Sequence, residues 1–231
     1  MEHFKKIYTS KASEYARLEK SEDVYNNLSK ALEGIISFSD KKILDIGSGT
    51  GRIARLFHSH AKHIIAIDLY IAMLRQNKVI RKEHNGRWSI FQADMINLPI
   101  VHHWADITIA GWAIGHLRSW FKNAWQTRIN QVVQQMNLAT SNGGHIFIIE
   151  TLGTGSLEPA PPTDELRSYY LWLEDKMGFR RKVIRTDYNF DTIESAVQVM
   201  DFFFGIDLAN RIKENRWHRV PEWTGIWWTE V

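Results

Sequence analysis

Three glycines within five positions, Gly47, Gly49 and Gly51, stand between the apolar run "KILDI" and the helix-forming run "RIARLF" in the segment Lys41–Phe57. Glycine inside an ordered element costs roughly 0.5–1 kcal/mol relative to alanine, so a cluster of three answers a need for bare backbone. An apolar strand, a glycine turn and a helix, in that order, form the opening unit of an α/β sheet. In such sheets ligands bind beyond the carboxyl ends of the strands.

The chain repeats this grammar as far as Glu150. "HIIAID", "RWSIFQAD", "DITIAGW" and "HIFIIE" read as further strands. "IAMLRQNKVIRKEH" and one long run through Phe121, Trp125, Ile129, Val132, Val133 and Met136 read as helices between them, the latter stopped by "SNGG". Val24, Leu28, Ala31, Leu32 and Ile35 recur at helical spacing ahead of the first strand. Continuous apolar strands alternating with helices predict a Rossmann-like α/β fold, its parallel sheet covered by helices on both faces. Past Glu150, "TLGTGSLEPAPPT" reads as a connection, "DELRSYYLWLEDKM" as a helix and "FRRKVIRTDYNF" as a strand. Helical stretches then run to about Glu214, and "EWTGIWWTE" reads as a last strand. The final two strands are expected as an antiparallel edge pair. The expected organisation is a single domain over 1–231: an N-terminal helical lid (1–40), a binding core (41–150), and a cover insertion with C-terminal strands (151–231).

Composition narrows the chemistry. No cysteine is present, which excludes disulfides, thiolate metal sites and a cysteine nucleophile. No targeting segment or membrane-length apolar stretch is visible, so a cytoplasmic protein is expected. The net charge of +3 is spread along the chain. Its one cluster, Lys176, Arg180, Arg181, Lys182 and Arg185, reads more simply as protection of an edge strand than as a nucleic-acid surface.

Asp45 precedes the glycines by two residues, Asp68 closes the second strand and Asp94 closes the third. A dinucleotide fingerprint G-x-G-x-x-G would place its last glycine where Arg52 stands, which disfavours a nicotinamide enzyme. Tight glycine spacing with an acid ahead suits a ligand carrying an amine and no pyrophosphate. Asp68 is placed to accept from a ribose diol, and Asp94 from an adenine amine with Met95 on the ring. Each aspartate alone would more often cap a helix or turn; three at successive strand ends, with the glycines, make a site.

Here the sequence resembles a family. "LDIGSGTG", "AIDLYIAML", "FQADMINLP", "ADITIAGWAIGHL" and "NGGHIFIIE" resemble the successive motifs of class I S-adenosylmethionine-dependent methyltransferases, more narrowly the small-molecule enzymes of the ubiquinone/menaquinone-biosynthesis type. The resemblance covers about Tyr8 to Glu150. It implies seven strands, the last antiparallel, and S-adenosylmethionine as cofactor. It assigns Asp45, Gly47, Ser48, Gly49, Thr50 and Gly51 to the methionine part, and Asp68 to the ribose with Leu69 and Met73 beside it. Asp94 and Met95 fall to the adenine, and Gly111 and Trp112 to the sulfonium. Tyr8 and Tyr15 belong to a segment closing over the cofactor. Ser141-Asn142 replaces the usual Lys-Pro before the double glycine, a change of turn only.

In-line methyl transfer rests on alignment and exclusion of water, and a base serves only an acceptor that must shed a proton. His116 is the candidate base, Glu150 the second. Tyr169, Tyr170, Trp172, Phe202, Phe203, Phe204, Trp227 and Trp228 are candidate linings for a small-molecule methyl acceptor. The alternatives are an RNA methyltransferase and a non-catalytic cofactor-binding subunit. No Asn/Asp-Pro-Pro-aromatic motif follows the fourth strand, as amino-methylating DNA enzymes would require, and nucleic acid is not the expected partner. No metal is expected.

Overall fold

The computed structural model describes residues 2–231. Helices α1 (Glu2–Ser10), α2 (Ala12–Ser21) and α3 (Asn27–Glu33) precede β1 (Lys42–Ile46). The core continues with α4 (Arg52–Phe57), β2 (His63–Asp68), α5 (Ile71–Glu83), β3 (Trp88–Gln92) and β4 (Ala105–Gly111). Then α6 (Gly115–Trp120) and α7 (Trp125–Ala139) lead into β5 (Thr140–Thr154). The remainder adds α8 (Asp164–Asp175), β6 (Arg180–Arg185), β7 (Tyr188–Asn189), α9 (Ile193–Phe204), α10 (Ile206–Asn215), β8 (Arg219–Val220) and β9 (Glu222–Glu230).

Seven strands form one sheet in the order β3-β2-β1-β4-β5-β9-β6. β1 to β5 are mutually parallel, while β9 runs against both of its neighbours, β5 and β6. β6, at the edge, therefore runs with the core strands. The order reverses between β1 and β4, so their carboxyl ends flank the crevice where such sheets bind ligands. A separate two-stranded sheet, β7 with β8, was not foreseen. Among the described residues no helix is long and apolar enough to cross a membrane.

Alternation along β1 sends Ile43 to one face and Leu44 and Ile46 to the other. On the first face Phe38 stacks on Phe57 at 4.0 Å between ring centres. On the other, Trp227 is fully buried against Tyr170 and donates its indole N–H to Glu174 at 2.9 Å. Burying each large apolar side chain contributes about 1.5–3 kcal/mol.

Four boundaries depart from the sequence reading, each for a local reason. The helix expected from Val24 begins at Asn27, because the Asp23 carboxylate accepts from the backbone N–H groups of Asn27 and Leu28 at 2.9 and 2.8 Å. Phe121 lies outside α7, in the break after α6. "SNGG" sits inside β5, which starts where α7 ends; Thr140 Oγ1 donates back to Met136 O at 2.7 Å. β5 also runs past Glu150 to Thr154, paired with β9, so "TLGT" is strand rather than connection. Of the basic cluster, Arg180, Arg181, Lys182 and Arg185 fall on edge strand β6 and Lys176 at the end of α8; Arg181 pairs with Glu174 and Arg180 lies over the Trp228 ring.

The N-terminal segment is tied to the C-terminal cover. Glu22 bridges Tyr188 in antiparallel fashion, and Asp23 N donates to Asp187 O at 3.1 Å. This connection joins the segment after α2 to β7, and Glu22 and Tyr188 both face the cavity beside the crevice.

Candidate active site

The glycine loop leaves β1 with its backbone bared toward the crevice. Gly49 has φ +53°, and a β-carbon there would stand 3.4 Å from Met73 Cε. Gly51, at φ +96°, would bring one to 2.7 Å from Asn77 Oδ1. Asn77 underpins the turn: its amide donates to Gly49 O at 3.2 Å and accepts from the Trp88 indole at 2.7 Å. Gly49 faces the cleft, whereas Gly51 packs beneath it.

Tyr8, Tyr15, Asp45, Gly47, Ser48, Gly49, Asp68, Leu69, Met73, Met95, Gly111, Trp112 and His116 converge on one cleft. Asp45 is 1% exposed, and neither carboxyl oxygen has a hydrogen-bond partner; the buried Ser48 Oγ is also unpartnered. Burial, with repulsion from Asp68 added, holds the Asp45 carboxyl well above the carboxylate range. An orphaned carboxyl at this depth is costly unless a ligand donates to it. Asp68 accepts from Gly49 N through Oδ2 and from Tyr70 N through Oδ1, each at 2.8 Å. These bonds fix its carboxylate while leaving lone pairs toward the cleft.

Three residues expected in the cofactor set stand elsewhere. Asp94 is exposed, off the cleft wall, and its Oδ1 accepts from Ile96 N at 3.1 Å, the ordinary work of a turn cap. Thr50 turns inward and donates to Glu19 Oε2. Gly51 lies against Asn77.

His116 is held from two sides. Tyr8 OH lies 2.8 Å from its Nε2, and Trp120 stacks on its ring at 5.3 Å. Burial lowers its pKa to about 4, so the imidazole is neutral at pH 7. Sequence reasoning missed Glu19 and Arg52, which also line the cleft. Arg52 is 7% exposed; its Nη1 donates to Glu22 Oε2 at 2.8 Å and its guanidinium lies 3.8 Å over the Trp112 ring. The available signal was the helical spacing of Tyr15, Leu18 and Glu19, which places a carboxyl on the apolar face of α2.

A second cavity, of about 490 Å³, adjoins the first and shares Tyr8, Tyr15, Glu19, Arg52, Trp112 and His116 with it. Phe203 and Phe204 line it as expected. Tyr169, Tyr170, Trp172, Phe202, Trp227 and Trp228 do not; Tyr169 and Tyr170 are core residues, the latter donating to Thr151 O at 2.8 Å. Glu150, at its wall, accepts from Gly115 N at 2.7 Å, and burial raises its carboxyl to about 8.

A family model described as "Methyltransferase domain" matches residues 43–144. Among curated proteins, the chain is 25% identical over 117 residues to phosphoethanolamine N-methyltransferase 1 of Triticum aestivum, covering 50% of this chain and 22% of that protein. It is 27% identical over 157 residues to the biotin biosynthesis bifunctional protein BioHC of Cellvibrio japonicus (strain Ueda107), covering 68% and 26%. The chain thus spans about a quarter of the length of the curated relatives it matches. Among solved structures, a SAM-dependent methyltransferase from Aquifex aeolicus superposes with a TM-score of 0.58 at 13% identity, over 94% of this chain and 98% of that one. A methyltransferase structure from Bacillus halodurans C-125 gives 0.57 at 15% identity, over 88% and 98%. The orphaned Asp45 and Ser48 groups, the bare Gly49 backbone and the Asp68 carboxylate fit the amine, main-chain and diol needs of S-adenosylmethionine. Residues 43–144 thus match a methyltransferase-domain family, and the fold is that of the methyltransferase structures on which the chain superposes.

Proposed function

We propose that the chain transfers a methyl group from S-adenosylmethionine to a small molecule lodged in the second cavity. One observation carries the reading: the two cavities share a wall, and Trp112 and His116 stand in it. The cofactor, when bound, supplies a methyl on a positively charged sulfur. The chain's own groups bind, align and keep out water. Asp45, Ser48 and the backbone at Gly47 and Gly49 hold the amino-acid end, Asp68 the ribose, and Met95 the base. Gly111 and Trp112 border the transfer point. Residues 1–40 act as a lid, carrying Tyr8 and Tyr15 over the cofactor, and 151–231 roof the acceptor.

Where the acceptor must lose a proton, Glu150 can receive it only in its ionised form, the minority form below about pH 8. A base works best with a pKa near the operating pH; Glu150 stands at about 8 and His116 at about 4. His116 already engages Tyr8, so it positions rather than deprotonates. The relatives' names, one a phosphoethanolamine N-methyltransferase and one a biotin-biosynthesis protein, do not converge on one acceptor.

Calorimetric titration with S-adenosylhomocysteine, then incubation of methyl-labelled cofactor with a small-molecule extract, tests the reading. Micromolar binding and label in a discrete small molecule are expected. Absence of binding refutes it, and label found only in RNA would replace the acceptor.

A further inference from the structure

Helix α2 lies directly over the glycine loop. Tyr15 Cε1 stands 4.0 Å from where a β-carbon on Gly49 would be. Glu19, one helical turn further along the same face, accepts from Thr50 Oγ1 through its Oε2. Glu19 is 6% exposed and lines both the cofactor cleft and the second cavity. Its Oε1 accepts from no described residue, yet it is not sealed in the interior, so it opens on the space the residue lines. The guanidinium of the cleft is engaged elsewhere: Arg52 pairs with Glu22 at 2.8 Å and stacks on Trp112. A carboxyl oxygen held largely out of water with no donor is unfavourable until one arrives.

The position of Glu19 identifies the donor. Beyond the same loop stands Asp45, whose carboxyl feels repulsion from both Asp68 and Glu19. Carboxyls within one another's field around a bare backbone turn call for a cation. The amino-acid end of the cofactor, which this loop is read to hold, carries one in its α-ammonium group.

We propose that Glu19 is a binding residue for the α-ammonium of the cofactor, presented by the N-terminal helices rather than by the sheet. The proposal rests on the methyltransferase reading above and adds to its site a residue outside the matched segment 43–144. Oε1 receives the ammonium while Oε2 keeps hold of Thr50, so one carboxylate joins α2, the glycine loop and the ligand. Burial pushes the Glu19 carboxyl up, while Arg52 and the Thr50 hydroxyl pull it down. An ammonium adds to that pull and favours the ionised form. Because Glu19 also walls the second cavity, the same contact strengthens the docking of the helix that helps to enclose the acceptor.

The test compares two nucleosides on the full chain by calorimetry: S-adenosylhomocysteine, and methylthioadenosine, which keeps the base, ribose and sulfur but has no amino-acid end. Wild type binding neither would refute the methyltransferase reading itself. Glu19→Gln, whose amide oxygen still accepts from Thr50, should weaken S-adenosylhomocysteine ten-fold or more and leave methylthioadenosine within about two-fold. The deamino analogue of S-adenosylhomocysteine supplies the complementary arm. Loss of the amino group should weaken binding to wild type ten-fold or more, and to Glu19→Gln several-fold less. A carboxyl that merely pins α2 to the loop predicts equal losses for the two nucleosides, and that result overturns the proposal. So does wild-type affinity of Glu19→Gln for S-adenosylhomocysteine. Should methylthioadenosine bind too weakly to measure, the deamino analogue decides alone. If Glu19→Gln does not fold, Glu19→Asp, which keeps the charge but draws the oxygen back by one methylene, takes its place with the same selective loss expected and the same equal loss refuting.

Discussion

Glu150 offers a quantitative check on the electrostatics of the site. Its carboxyl ionises at about 8 in the folded protein and at 4.5 in a free chain, because burial outweighs the single bond from Gly115 N. Between those pH values the folded state holds a proton that the unfolded state has released. Stability therefore falls as pH rises, by about 1.4 kcal/mol per pH unit for this one group. Glu150→Gln removes the ionisation while its amide oxygen still accepts from Gly115 N. Other buried acids, Asp45 and Asp68 among them, contribute to the wild-type slope but cancel in the difference. The stability of the variant relative to wild type should thus grow by roughly 2–3 kcal/mol between pH 5.5 and 7.5. Urea unfolding at three pH values, followed through the ten tryptophans, reads this directly. Parallel stability curves for the two proteins would refute the assignment of a raised pKa to Glu150.

Four further outcomes follow from the geometry. Gly49→Val forces a β-branched residue to φ +53°, at about 1–3 kcal/mol of backbone strain, and should weaken S-adenosylhomocysteine binding ten-fold or more by calorimetry. Asp68→Ala should weaken it comparably, since it also frees the Gly49 and Tyr70 N–H groups; wild-type affinity in both variants would refute the site. The His116 imidazole should stay neutral down to about pH 5 in an NMR titration, and an ionisation near 6.5 would contradict its burial. Asp94→Ala should leave cofactor affinity within about two-fold, because its carboxylate caps Ile96 rather than facing the cleft.

What could be read in advance was local in the chain. "LDIGSGTG" announces a strand end, a turn and a helix start within a few residues, and the structure keeps Asp45 and Gly49 beside one another for that reason alone. Asp68 was readable because a strand's last residue faces its neighbour's loop. Asp94 misled because a turn cap and a ligand anchor have the same sequence appearance, and only exposure separates them. The wall of the second cavity was illegible for the opposite reason. Glu22 and Glu222 come from opposite ends of the chain and meet through the Glu22–Tyr188 bridge and the pairing of β9 with β5. No periodicity encodes such a meeting. Tyr169 and Tyr170 stood open between cavity lining and core packing, because aromatic runs look alike in both; α8 turns the two into the core beside Trp227.

Arg52 has one side chain in two rooms. Its flat face rests on Trp112, at the boundary of the cofactor cleft, while its fork reaches Glu22, in the wall of the neighbouring chamber. Whatever settles in either space and shifts that guanidinium changes the other space's shape and field. Thermodynamic reciprocity then makes the influence mutual: the factor by which the first ligand alters the second's affinity equals the factor in return. A two-substrate protein wired this way would signal its occupancy from one half to the other through a single planar cation.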